Sequence, residues 1–178
     1  MTEPQRILYH HRIRADDGQA VHVRELVGAL RSLGHTVHEC ALVQKTGPAA
    51  AAAARVAEVA RKPAGFWQRL ALPRRAVEVL EILYNHKGRA MLRAAARTLR
   101  PHFVYERHAL HCRAGLDVAR ELGVPLLLEV NSPMVDEMQK LGSLRFRKRA
   151  LATERAVLAG ADAVLAVTRV LADLLVER

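Results

Sequence analysis

The chain has 178 residues, of which 51% are hydrophobic and 26% charged, and its formal net charge is +10. This length and apolar content predict one domain with a sizeable core and exclude a disordered protein. The charge favours an anionic partner such as phosphate groups, an anionic membrane surface or nucleic acid, and the alternative is a solvated basic surface.

The first predicted unit is a strand, a glycine-bearing loop and a helix between residues 6 and 34. An apolar run of strand length at residues 7–9 precedes a polar stretch from 10 to 18. From residue 20 apolar side chains recur at three- and four-residue steps, as on a helix that lies on a sheet, and Gly34 ends this helix. Because ligands of open α/β sheets bind at the carboxyl ends of strands, we expect chemistry in the first loop.

A second strand is predicted at residues 36–42, and the chain changes character after it. Residues 49–60 are nearly all alanine, which favours a helix or a helical linker. Cations and aromatic residues then occur together over residues 61–75, as in a segment that lies among lipid headgroups. The alternative is that Phe66 and Trp67 pack beneath the alanine-rich helix. The membrane-contact candidates are Phe66, Trp67, Arg69, Arg74 and Arg75.

Helices and strands continue to alternate in the rest of the chain. A helix reaches about residue 97, and a third strand follows at residues 103–105. The longest apolar run, residues 124–130, predicts a strand at the centre of the sheet. One long helical stretch with a basic beginning, a strand at residues 163–167 and a last helix complete the pattern. It predicts an α/β fold, a Rossmann-like parallel sheet with helices on both faces.

Polar clusters follow three of the predicted strands, and in a parallel sheet these strand ends face one crevice. The candidate acceptor- or phosphate-binding residues are Asp17, Gly18, Gln19, Glu106, Arg107, Glu129, Asn131 and Ser132. Carboxylate, guanidinium, amide and hydroxyl groups together suit a polyhydroxylated or phosphorylated ligand. The alternatives are a plain turn at Gly18 and structural ion pairs at the two glutamates.

His108 is the candidate catalytic residue, because an imidazole at a strand end can act as a base or bind a sugar hydroxyl. The alternative is a solvated or packing histidine beside His111. The basic run at residues 145–149 is interpreted as a solvated helix face, with anion binding as the alternative.

Several classes of protein are disfavoured by missing motifs. The fingerprints GxGxxG and GxxxxGK[ST] are absent, which disfavours nicotinamide oxidoreductases and nucleoside triphosphatases. Cys40 and Cys112 have no metal-ligand spacing, so we expect no metal and a reducing cytoplasm. No nucleic-acid partner is expected, since the arginines are spread over several helices without a known reader motif. No apolar run is long enough to cross a bilayer, so we expect any membrane association to be peripheral, on the inner face.

Four segments resemble, in the same order, the N-terminal domain of family 4 glycosyltransferases. They are RILYHHRIRADDGQAVHVRELVGALRSLGHTV at residues 6–37, FVYERH at 103–108, PLLLEVNSP at 125–133 and ERAVLAGADAVLAVT at 154–168. The resemblance implies a GT-B architecture, in which two Rossmann-like domains face each other across a cleft. The first domain binds the acceptor, and the second binds the nucleotide sugar.

The resemblance implies that residues 1–178 are the acceptor-side domain, with an excursion at residues 49–75. The sequence ends before the family's segment like PNGVD and its acidic E-x7-E motif, so we expect the donor to bind a second domain or subunit and this chain to hold no cofactor. The family often has two glycines in the first loop, where only Gly18 is present, and often a histidine where Asn131 stands. His108 is the nearest substitute for that histidine. We expect the chain alone to be inactive, and the alternative is a stand-alone or split-partner binding module.

Overall fold

A five-stranded parallel sheet organises the chain in the computed structural model, which describes residues 3–13, 18–41 and 73–177. The strands are β1 (Arg6–His11), β2 (Thr36–Ala41), β3 (Phe103–Arg107), β4 (Leu126–Val130) and β5 (Ala163–Ala166). Their order across the sheet is β2-β1-β3-β4-β5, and every neighbouring pair is parallel. The predicted α/β class with a parallel sheet is confirmed.

Helices cover both faces of the sheet in the described ranges. They are α1 (Gly18–Ser32), α2 (Arg74–Leu99), α3 (Ala114–Leu122), α4 (Met134–Lys140), α5 (Arg147–Gly160) and α6 (Arg169–Val176). On one face α1 packs Val23 and Val27 against Ile7 and Tyr9 of β1. On the other face α2, α3, α5 and α6 enclose a larger core with the alternate residues of the strands, such as Leu8. None of these helices is both long and apolar enough to cross a bilayer.

Two details differ from the sequence-based prediction. The central strand is β3 and not the apolar run of β4, which has neighbours on both sides but lies next to the edge strand. A continuous apolar run indicates that both faces of a strand are buried, but it does not indicate where the strand lies in the order of strands across the sheet. The single long helix predicted after β4 is two helices, α4 and α5. Gly142, with a φ of 61°, turns the chain between them. The alanine-rich segment 49–60 lies outside the described residues.

Helix α2 fixes the loop that follows β3. The side-chain amide of Asn85 donates to the carbonyl of His111 at 2.7 Å, and its oxygen accepts from the backbone N–H of Arg113 at 2.8 Å. His111 has a left-handed φ of 59°, which costs energy for a residue other than glycine and persists only when neighbours hold it. The same loop begins with His108, so α2 sets the position of the candidate catalytic residue.

Glu78 of α2 ties this loop to the beginning of α5. Its buried carboxylate accepts from the backbone N–H of Phe146 at 2.9 Å and of Arg145 at 2.5 Å, and it lies 3.2 Å from Nε2 of His111. Burial would raise the pKa of Glu78, but the two N–H groups and His111 outweigh burial and lower it. The carboxylate therefore supplies partners for the N–H groups of the two residues that lead into α5.

We expect the Glu78→Gln substitution to destabilise the protein by about 1–3 kcal/mol at neutral pH, since hydrogen bonds to a charged acceptor are lost. Because the pKa is lowered in the folded state, the ionised carboxylate stabilises the fold above its ordinary pKa. This contribution disappears as the pH falls through the folded value. Urea unfolding of both proteins from pH 7 to pH 3 measures the difference, which should shrink on acidification. A difference that stays constant over this range would contradict the assignment.

Candidate functional site

A pocket of about 160 Å³ opens at the carboxyl ends of β1, β3 and β4. It is lined by Arg12, Ile13, Gln19, Arg107, His108, Ala109, Asn131, Ser132 and Met134. The parallel register brings the three strand ends to one edge of the sheet. Members of each of the three polar clusters that the sequence singled out therefore meet in one crevice.

Two larger cavities are less suited to chemistry. One, of about 390 Å³, lies among α5, β5 and α6 and has a mainly apolar lining, with Arg155 at its side. The other, of about 660 Å³, lies between β2 and the end of α2. Both lie beside strands, away from the crevice at the ends of the three inner strands. The smallest of the three cavities is the one in which polar groups from several elements converge, and we take it as the candidate site.

Glu129 of β4 holds the side chains around this pocket in place. Its carboxylate is 4% exposed and accepts from Arg107 at 2.9 Å and from the amide of Asn131 at 2.6 Å. Nε2 of His22 on α1 lies 3.1 Å from the same oxygen, and the Tyr105 hydroxyl donates to the other oxygen at 3.0 Å. Burial and the Glu129 charge raise the pKa of Tyr105, which keeps its proton for this bond. Glu129 is thus placed to orient the pocket residues.

The positive charge of the pocket comes mainly from Arg12. Glu129 neutralises Arg107, whose side chain is 9% exposed. Arg12 instead donates to the carbonyl of Leu110 at 3.0 Å and lies over the ring of Tyr84, 4.7 Å from its centroid. No carboxylate of the described residues forms an ion pair with Arg12. A guanidinium without a counter-charge among the described residues favours an anionic ligand group.

Hydrogen-bonding groups from three elements complete the lining. Asn131 gives its N–H to Glu129, which leaves its amide oxygen as an acceptor, and Ser132 donates to Glu137 at 2.9 Å. The imidazole of His108 belongs to the lining and is 9% exposed. Gln19 lies in the first turn of α1, where the helix dipole favours negative charge. Amide, hydroxyl and imidazole groups in this arrangement suit a ligand with hydroxyl or phosphate groups.

Glu106 is the predicted site residue that the structure places elsewhere. Its side chain lies on the opposite face of β3, 1% exposed, where it pairs with Nδ1 of His10 at 2.6 Å and accepts from the N–H of Gly115 at 3.0 Å. Residues 105 and 107 of this strand point to the face of Glu129, and residue 106 must point to the other. Side chains alternate between the two faces of a strand, and this alternation would have placed Glu106 on the face away from the pocket.

One group of three described residues has the right donor types for a metal ion. Nδ1 of His10, a carboxylate oxygen of Glu106 and Sγ of Cys112 lie within 4.8 Å of one another. Two ligands of a tetrahedral zinc ion, each about 2.0 Å from the metal, would be about 3.3 Å apart. The 2.6 Å between His10 and Glu106 is instead a hydrogen-bond distance, and burial raises the pKa of the Cys112 thiol, which keeps it protonated. The group is a hydrogen-bonded core cluster that fits a metal poorly.

The remaining predicted residues lie partly within and partly outside the described residues. Gly18 is the first residue of α1, whereas Asp17 lies outside the described residues. Phe66, Trp67 and Arg69 also lie outside them. Arg74 and Arg75 are exposed in the first turn of α2.

Sequence reasoning missed the residues that act from a distance in the chain. Tyr84 and Glu78 belong to α2, and His22 belongs to the exposed side of α1. Their sequence neighbours follow ordinary helical patterns, so no local signal marks them. Only the packing of the two helices on the sheet brings Tyr84 to His10, Glu78 to the loop after β3, and His22 to Glu129.

We expect Gly115→Ala to lower stability by about 1–3 kcal/mol, because the core has no room for the added methyl group. A Cβ at this position would lie 2.5 Å from one oxygen of the buried Glu106 carboxylate. Gly28→Ala is the matched control, since nothing lies within 4 Å of its Cβ position and alanine favours a helix by about 1 kcal/mol. Urea unfolding compares the two, and equal stabilities would contradict the packing around Glu106.

We expect Glu129→Gln to destabilise the protein by about 3–5 kcal/mol, because the buried Arg107 loses its counter-charge. Glu121→Gln is the control: its ion pair with Arg93 is exposed, and its loss should change the unfolding midpoint little. Denaturation in urea at neutral pH measures both. Similar midpoints for the two variants would show that Glu129 does not hold the site.

Comparison with known proteins identifies the family of the chain. No curated protein matches the chain. Residues 17–178 match the family described as glycosyl transferase 4-like domain, so nearly the whole chain is covered, including every pocket residue from Gln19 onward. The match indicates a glycosyltransferase-related module and implies sugar-related substrates in general. The chain belongs to the glycosyl transferase 4-like family.

Proposed function

We propose that this chain is the acceptor-binding half of a glycosyltransferase that moves a sugar from a nucleotide-sugar donor to a glycan, lipid or small-molecule acceptor. The observation that carries the proposal is the pocket at the ends of β1, β3 and β4, where groups suited to hydroxyls and anions converge. Family membership supports the sugar chemistry.

Each group in the pocket has a role in the proposal. Asn131 and Ser132 bind acceptor hydroxyls, since an amide oxygen and a hydroxyl both accept hydrogen bonds. Arg12 and Gln19 bind an anionic group near the beginning of α1, where the guanidinium and the helix dipole act together. His108 contacts the hydroxyl that reacts, and Glu129 keeps Arg107 and Asn131 in position.

The donor requires a second surface in this proposal. A pocket of about 160 Å³ is smaller than the roughly 300–1,000 Å³ of sites that enclose a whole ligand of drug size. Sugar transfer needs donor and acceptor held together in one closed cleft. We therefore assign the nucleotide sugar to a second domain or subunit and no cofactor to this chain. We place the protein in the cytoplasm, bound peripherally to an anionic membrane.

A stand-alone or split-partner binding module without its own catalysis is the second candidate. The small, one-sided pocket favours a binding module as much as it favours half of an enzyme. The coding sequence after residue 178 separates the two. A continuing frame with a donor-binding domain supports one enzyme, and a stop followed by a separate donor-binding frame supports a split one.

We expect the purified chain to bind a hexose phosphate and to transfer no sugar from a nucleotide sugar. Asn131→Ala and Arg12→Gln should each weaken hexose phosphate binding about tenfold or more, the effect of a lost hydrogen bond to a charged or polar group. Arg97→Gln, an exposed cation of α2 outside the pocket lining, is the control for net charge and should bind like the wild type. Isothermal titration measures the affinities.

Two results would contradict the proposal. Equal losses of affinity in the pocket variants and in Arg97→Gln would place the hexose phosphate outside the pocket. Turnover of a nucleotide sugar by the chain alone would show that no second donor-binding surface is needed.

A further inference from the structure

Half of the protein's net charge is concentrated in ten residues that run from the last residue of α4 to the first turn of α5. This basic loop, residues 140–149, has the sequence KLGSLRFRKR. It contains five cations and no acidic residue, and the whole chain carries +10. The cations are Lys140, Arg145, Arg147, Lys148 and Arg149. None of these five cations lines the pocket.

All five cations are exposed, and none forms an ion pair with a residue from the described ranges. Arg147 makes one hydrogen bond to the neutral side chain of Gln139. Arg93 of α2 is an exposed arginine that does have a counter-charge, since it pairs with Glu121. The uncompensated field of the basic loop attracts a polyanionic surface.

Two apolar side chains stand among these cations. Leu141 is 74% exposed and Phe146 is 36% exposed. The inner side of the same region packs into a small core through Val135, Leu144 and Ala150. Cations beside protruding leucine and phenylalanine are typical of a surface that lies on a bilayer, with the apolar groups among the acyl chains and the charges at anionic headgroups. The phosphate backbone of a nucleic acid would satisfy the charges and leave the leucine in water.

Hydrogen bonds hold the basic loop in one arrangement, and it lies toward the edge of the sheet at which the pocket opens. Glu78 binds the backbone N–H groups of Arg145 and Phe146, and Gly142 turns the chain after α4. The first residue of α4, Met134, lines the pocket. Helix α5 leads directly into β5, so its first turn lies toward the carboxyl edge of the sheet, the edge at which the pocket opens.

We propose that the basic loop docks the protein on an anionic lipid bilayer, with Leu141 and Phe146 inserted and the five cations on the headgroups. The surface differs from the segment at residues 61–75 to which the sequence pointed. The proposed docking rests on the proposed peripheral association with a membrane and does not depend on sugar transfer. The docked protein brings the pocket edge near the bilayer, where a lipid-borne acceptor would be found.

Co-sedimentation with vesicles tests this surface. The vesicles are phosphatidylcholine alone or phosphatidylcholine with about 30% phosphatidylserine, at an ionic strength of about 0.1 M. We expect binding only to the anionic vesicles. Lys148→Gln with Arg149→Gln should weaken the partition about thirtyfold, the effect of two cations at an anionic surface. Leu141→Ser should weaken it about tenfold, because one buried apolar side chain is lost.

Matched controls remove the same charge or the same side chain elsewhere. Lys87→Gln with Arg97→Gln also removes two exposed cations, from α2, and Leu33→Ser removes a leucine that is 70% exposed directly after α1. Both controls should bind like the wild type. Circular dichroism of each variant checks that the protein remains folded.

Other outcomes would overturn the proposal. Failure of the wild-type protein to bind anionic vesicles would contradict both the basic-loop surface and peripheral membrane association. It would not affect the proposal that the pocket binds a hexose phosphate. Binding that the basic-loop variants and the controls weaken equally would reduce the effect to net charge. Loss of binding only in Phe66→Ser with Trp67→Ser would assign the membrane contact to residues 61–75. Preference for duplex DNA, with no effect of Leu141→Ser, would assign the loop to nucleic acid.

Discussion

The site depends on one buried carboxylate, that of Glu129. A charge removed from water is stable only when several donors surround it, and here they come from β3, from Asn131 directly after β4, and from α1. The same bonds that compensate the charge also fix the orientation of Arg107 and Asn131 at the pocket. Binding geometry and fold stability are therefore linked at this position.

The opposite face of the sheet also contains a buried carboxylate, that of Glu106, which has different partners. His10 and Glu106 form a buried pair, with Tyr84 at 3.0 Å from the other ring nitrogen of His10. This polar chain crosses the core between β1, β3 and α2, beside Gly115, where only glycine leaves space for the carboxylate. Neighbouring residues of one strand, Glu106 and Arg107, thus serve separate structures: the first belongs to the core and the second to the pocket.

Helix α2 connects the pocket to the basic loop. Asn85 holds the left-handed turn at His111, and Glu78 holds both that turn and the beginning of α5. A rigid support matters for a surface rich in exposed cations, because their mutual repulsion would otherwise favour an extended loop. The carboxylate of Glu78 offsets part of this repulsion, and it does so from within the protein, where Glu78 is 2% exposed.

The sequence by itself determined the α/β class, the five strands and the meeting of three polar strand ends. These features follow from local periodicity and from the rule that parallel strands share one carboxyl edge. Only the tertiary structure decided that β3 is central, that α4 and α5 are separate, and that Glu129 orients while Glu106 belongs to the core. Strand order, helix packing and the partners of a buried charge depend on contacts between residues far apart in the chain. A one-dimensional pattern carries no record of such contacts, so His22, Glu78 and Tyr84 became visible only when the helices were packed on the sheet.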